Sequence, residues 1–69
     1  MSNKIHEIKG YAVVAGKVAF VTRVFEAKSD EGYQFNIAFA GDLRISVLFA
    51  TRHEADLERE LLLKAIREA

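Results

Sequence analysis

The sequence predicts an α+β domain: a three- or four-stranded antiparallel meander sheet with one C-terminal helix packed on one face. Three observations carry this. β-Branched and aromatic residues fill the first fifty positions in runs bounded by glycines at 10, 16, 32 and 41. The stretches between these runs are a few residues long, whereas parallel strands need crossovers of a dozen or more. Helical periodicity is confined to the segment after Thr51.

Taken in order, the strands are expected near residues 5–14, with Gly10 as a natural breaking point, then 18–27, 33–39 and 43–50. The turns between them are Ala15-Gly16-Lys17, Lys28 to Gly32 and Ala40-Gly41-Asp42. The two later strands alternate cleanly. Residues two apart share a face, so Tyr33, Phe35, Ile37 and Phe39 form one row and Leu43, Ile45, Val47 and Phe49 form its counterpart. A three-residue loop over 40–42 sets Phe39 opposite Leu43, Ile37 opposite Ile45 and Phe35 opposite Val47, with Asp42 able to adopt the left-handed conformation the turn requires.

The helix is expected over about residues 52–68, and Thr51 with Glu54 reads as a capping box. The threonine hydroxyl accepts from the amide of Glu54 while the glutamate reaches back to the amide of Thr51. At 100° per residue Ala55, Leu61, Leu62, Ala65, Ile66 and Ala69 gather into an apolar stripe that needs a sheet beneath it, with Leu57 and Leu63 on its opposite flanks.

Val18 to Ala27 breaks the pattern, because both of its alternating rows are apolar. Even positions hold Val18, Phe20 and Val24; odd positions hold Ala19, Val21, Phe25 and Ala27. Either the strand bulges and rotates, or a second face of the sheet is covered by something other than the helix. The second option points to homo-oligomerisation, with Val21, Phe25, Ala38, Leu48, Leu57 and Leu63 as the candidate interface. A chain of 69 residues has a thin margin of stability, and without cysteine it has neither disulfides nor a thiolate zinc site to add to it. Association is the remaining staple.

Ten basic residues balance ten acidic ones, so there is no overall positive field to attract nucleic acid or an anionic membrane. The longest apolar runs fall far short of a membrane span, and Met1 to Gly10 alternates charge with Ile5 and Ile8 instead of building a signal-peptide core. A cytoplasmic location is expected. The charge is uneven along the chain, with five Lys/Arg against two Glu in residues 1–28 and five against eight acids in residues 29–69. Lys9, Lys17, Arg23, Lys28 and Arg44 would supply a basic face for weak nucleic-acid binding, the alternative reading.

The sequence offers little for catalysis. His53, Glu54 and Asp56 cluster at the helix start, but the leucine at 57 rules out HExxH and one helical turn makes at most half a metal site. His6 is isolated, and neither a phosphate-binding glycine loop nor a nucleophile with a placed histidine is present. The stretch Glu31 to Phe39 opens with a glycine and aromatics two apart, as does the base-stacking strand of RRM domains. Its first position is acidic, however, and Gln34 and Asn36 occupy the positions that would have to face supporting helices. Tyr33 and Phe35 therefore read as core. The expectation is a small non-catalytic binding or interaction module, with no cofactor, no metal and no catalytic residue assigned. An enzyme with its site at a subunit interface ranks behind both binding readings.

Overall fold

A computed structural model describes residues 4–28 and 32–68. Its elements are β1 (Ile5–Ile8), β2 (Tyr11–Val14), a 3-10 turn (Ala15–Lys17), β3 (Val18–Val21), β4 (Phe25–Glu26), β5 (Tyr33–Phe39), β6 (Arg44–Phe49) and α1 (Arg52–Glu68). The fold is α+β, with an antiparallel sheet and the C-terminal helix on one of its faces. Of the expected turn from Lys28 to Gly32, residues 29–31 lie outside the described residues, as does Ala69 of the expected helical stripe.

β5 is the central strand. β6 lies along one of its edges, and β3 and β4 follow one another along the other. The β5–β6 register is the expected one: Phe35 faces Val47, Ile37 faces Ile45 and Tyr33 faces Phe49. The amide of Phe39 donates to the carbonyl of Leu43 at 2.7 Å, closing the loop, and Asp42 sits in the left-handed region at φ 67°. Phe35, Ile37, Val47 and Phe49 are buried, and the Phe35 and Phe49 rings stack at 5.8 Å. Gly32 enters β5 at φ 121°, where a Cβ would collide with the carbonyl oxygen of Phe49. No larger residue fits there without moving backbone.

The expected strand over 5–14 is instead a hairpin that forms a two-stranded sheet of its own, turned at Lys9 (φ 49°) and Gly10 (φ 85°). Two successive positive φ values are what a two-residue hairpin loop with the right twist demands. The reversal also solves a burial problem. In a straight strand Ile8 and Val13 would point to opposite faces; with Ile8 opposite Tyr11 and His6 opposite Val13, both enter the core beside Phe35 and Leu62. The hairpin and the helix thus share the work of covering one sheet face, a division that the single-helix expectation lacked. Lys4 at the base of the hairpin pairs with Glu68 at 2.6 Å, and Lys9 at its tip lies 5.1 Å from the centre of the Phe49 ring.

Val18 to Ala27 requires the second correction. The register slips between Val18 and Phe20 and again between Val21 and Phe25, so that Val18 faces Phe39, Phe20 faces Ala38, Val21 faces Ile37 and Phe25 faces Gln34. Each slip adds one residue and turns the following side chains over. The result replaces the two alternating rows with a spacing of three. Val24 and Ala27 are buried, and Val18 and Val21 pack against the core cluster. Phe20 and Phe25 stand with Ala38 and Gln34 on the opposite face.

The second slip has its own supports. The Thr22 hydroxyl accepts from the amide of Asn36 at 2.9 Å, in the place a strand carbonyl would occupy, while the Thr22 amide donates to the Asn36 carbonyl at 2.9 Å. The displaced Thr22 carbonyl accepts from Arg59 Nε at 2.8 Å, which ties the bend to the helix. Hydrogen bonds to charged donors are among the stronger ones.

At the helix start the Thr51 hydroxyl accepts from the amide of Glu54 at 3.2 Å. The reciprocal arm of the capping box is not formed among the described residues, and Glu54 is exposed. Ala55, Leu62 and Ala65 are buried and Ile66 packs against the cluster, but Leu61, expected in the stripe, is exposed. The stripe is narrower than expected because the first-strand hairpin supplies apolar cover that the helix alone would otherwise have to provide. Leu57 is exposed and Leu63 half-buried.

Candidate interaction surface

The face of the sheet opposite the helix and hairpin is the candidate site. Three rows cross it. Phe20, Ala38 and Arg44 form the first; Thr22, Asn36 and Ser46 the second; Phe25, Gln34 and Leu48 the third. The middle row is polar and its side chains bond to their neighbours on the sheet. Asn36 Oδ1 accepts from Ser46 Oγ at 2.8 Å and from Gln34 Nε2 at 3.2 Å, linking the middle and third rows. Side chains bonded to one another in this way have less to gain from water, so a second surface could cover them at lower desolvation cost.

The outer rows carry apolar side chains at three of their four flanks, Phe20, Phe25 and Leu48, with Arg44 at the fourth. Phe20 is 54% exposed and Leu48 is also exposed, while Ala38 is only 5% exposed between its larger neighbours Phe20 and Arg44. Aromatic side chains of this size carry a large burial energy, roughly 1.5–3 kcal/mol when fully removed from water. Phe20 leaves about half of that unrealised in the isolated chain.

Of the residues expected at the interface, Phe25, Ala38 and Leu48 share this face. Val21 does not: the slip after Val18 turns it toward Ile37 and the core, which corrects its grouping with Phe25. Leu57 and Leu63 lie on the helix, across the sheet from the candidate surface. Phe20 was absent from the expected set. The signal that could have found it is the spacing of Val18, Val21, Val24 and Ala27, which is three throughout and incompatible with an unbroken strand.

The five basic residues are dispersed. Lys9 is in the tip of the first hairpin over Phe49, Lys17 ends the 3-10 turn, Arg23 lies in the bend between β3 and β4, Lys28 follows β4, and Arg44 alone stands in the rows of the open face. His53, Glu54 and Asp56 are all exposed at the helix start, and no group of three or more His, Asp or Glu side chains able to share a metal ion occurs among the described residues. The Nε2 atom of His6, on the core-facing side of β1, is buried without a hydrogen-bond partner among the described residues. Among the described residues Glu68 is the one carboxyl with a distinct shift: the hydrogen bond and the charge of Lys4 hold its pKa below the ordinary value of 4.5.

No pocket is formed among the described residues, and no helix there is long and apolar enough to cross a membrane. No family model, curated protein or solved structure matches the chain.

Proposed function

We propose that the protein is a small cytoplasmic interaction module that assembles with copies of itself through the open face of its sheet, without chemistry of its own. The observation that carries this reading is the composition of that face: Phe20, Phe25, Leu48 and Ala38 around a middle row of side chains that bond to one another. Burying such a face in a homodimer removes apolar surface from water on both chains at once. The need is greater in a domain this small, whose own core offers limited stability.

Sedimentation equilibrium tests it. The reading expects a mass at least twice the 7.8 kDa of the chain at micromolar concentration. Replacing Phe20 and Phe25 together by serine should return the mass to that of one chain while the far-ultraviolet circular dichroism is unchanged. Single chains at every concentration up to ~100 µM, about −5.5 kcal/mol on the affinity scale, would refute it. A salt-sensitive shift of random oligonucleotide, lost on changing Lys17 and Arg23 to glutamine, would put nucleic-acid binding in its place.

A further inference from the structure

The geometry points to the outer edge of β6 as a second, separate contact, at which β6 of another copy pairs antiparallel about a two-fold axis centred on Ser46. The proposal rests on the self-assembly reading only in naming a second copy as the occupant; the edge itself is a distinct feature of the sheet.

Antiparallel ladders alternate between residues that exchange hydrogen bonds and residues that do not. The amide of Phe39 donates to the carbonyl of Leu43, so the exchanging pairs of the β5–β6 ladder are Phe39 with Leu43, Ile37 with Ile45, Phe35 with Val47 and Tyr33 with Phe49. The N–H and carbonyl groups of Arg44, Ser46 and Leu48 therefore point away from β5. None of them has a hydrogen-bond partner among the described residues. The opposite edge of β5 shows the complementary half of this alternation, since it is Asn36 that bonds to Thr22 there.

A strand edge with such groups accepts another strand, and natural sheets usually guard their edges with proline, inward charges or bulges. β6 has none of these: the sequence Arg-Ile-Ser-Val-Leu-Phe runs in unbroken register, with one charge and no proline. Self-pairing follows from which register satisfies the edge. With Ser46 opposite its own equivalent and Arg44 opposite the partner's Leu48, every outward N–H and carbonyl of the three residues finds a partner. Shifting by two residues in either direction leaves one of the three unpaired.

The same register arranges the side chains favourably. On the core side Leu43, 63% exposed in the single chain, falls opposite the partner's Phe49, and Ile45 falls opposite the partner's Val47, so the apolar layer continues from one sheet into the next. On the open side the two Arg44 side chains are separated by four residues of strand, about 13 Å, beyond a Debye length at physiological salt. The two-fold operation closes the pair and extends the open face across both copies.

Amide hydrogen exchange read residue by residue, in the full chain across a concentration series, is the test. Arg44, Ser46 and Leu48 should exchange freely in dilute solution and become protected as the sedimentation mass rises. With Ser46→Ala as the control for the lost Ser46 Oγ–Asn36 Oδ1 bond, Ser46→Pro removes an outward N–H and leaves the backbone bonds of the β5 ladder in place. It should weaken association at least tenfold, roughly what the loss of one hydrogen bond per chain implies, and leave the dilute chain folded. Leu43→Lys, on an exposed side chain, should do likewise by a different route. Association with these three amides still unprotected, or undiminished in both variants, would overturn edge pairing and leave face-to-face assembly standing. Single chains throughout would overturn both.

Discussion

The two edges of β5 are built from similar residues and behave differently. On one side β6 keeps strict alternation over its whole length, pairing large with large from Tyr33–Phe49 to Ile37–Ile45. On the other, β3 and β4 slip twice in ten residues, and faces are exchanged at each slip. The difference lies in what each edge must satisfy. β6 holds one apolar row, Ile45, Val47 and Phe49, and one mixed row, Arg44, Ser46 and Leu48, so a regular ladder buries most of what needs burying. Val18 to Ala27 has more apolar residues than one face can hold, and the two bulges select every third residue for the core. The surplus, Phe20 and Phe25, becomes the surface on which the proposed function depends.

If this contrast is right, truncation should hurt more on the regular side. Val47→Ala, on β6 and fully buried, is expected to cost about 2–3 kcal/mol. Val21→Ala, at a half-buried core position, should cost about 1–2 kcal/mol. Urea unfolding in dilute solution compares them; equal losses would dissolve the distinction between the two edges.

The bend itself can be addressed next. Thr22→Val keeps the shape of the side chain and deletes the hydroxyl that accepts from the Asn36 amide, for an expected loss of about 1–2 kcal/mol and faster exchange of that amide. Unchanged exchange at Asn36 would mean that another group caps it.

How much of this could be read from residue order follows the same division. The β5–β6 hairpin, the helix and its Thr51 cap were legible because each repeats a single period for several turns or residue pairs. Leu61 and the Lys9-Gly10 reversal were less so. The first depends on the hairpin's share of the cover, a tertiary fact, and the second on a left-handed lysine, a residue seldom chosen for that conformation. Val18 to Ala27 announced its irregularity through two apolar rows without saying how it was resolved. Both oligomerisation and bulging were open, and the structure adopts the bulge. Half of the expected interface set, Phe25, Ala38 and Leu48, shares a face nonetheless, because Ala38 and Leu48 belong to the regular strands and the two slips return Phe25 to the side that alternation gave it.

The smallest expected effect lies away from the sheet, at the ion pair between Lys4 and Glu68. A carboxyl whose pKa is depressed in the folded state adds stability at neutral pH and loses it as the pH falls through that depressed value. Both side chains are solvent-exposed, so the contribution is minor. Lys4→Met should shift the Glu68 titration, followed by carboxyl NMR, back up toward 4.5, and the stability difference from the parent chain should vanish in acid. An unmoved titration would show that Lys4 is not the cause.

The spacing of three in Val18 to Ala27 underlies both the core and the open face, and Phe20 and Val24 test it most directly because simple alternation places them on the same side. Urea unfolding of Phe20→Ser and Val24→Ser, each measured where the chain is dilute, should show a loss of about 2–3 kcal/mol for Val24 and about 1 kcal/mol or less for Phe20. Comparable losses for the two, or a larger one for Phe20, would contradict the double bulge and the surface it creates.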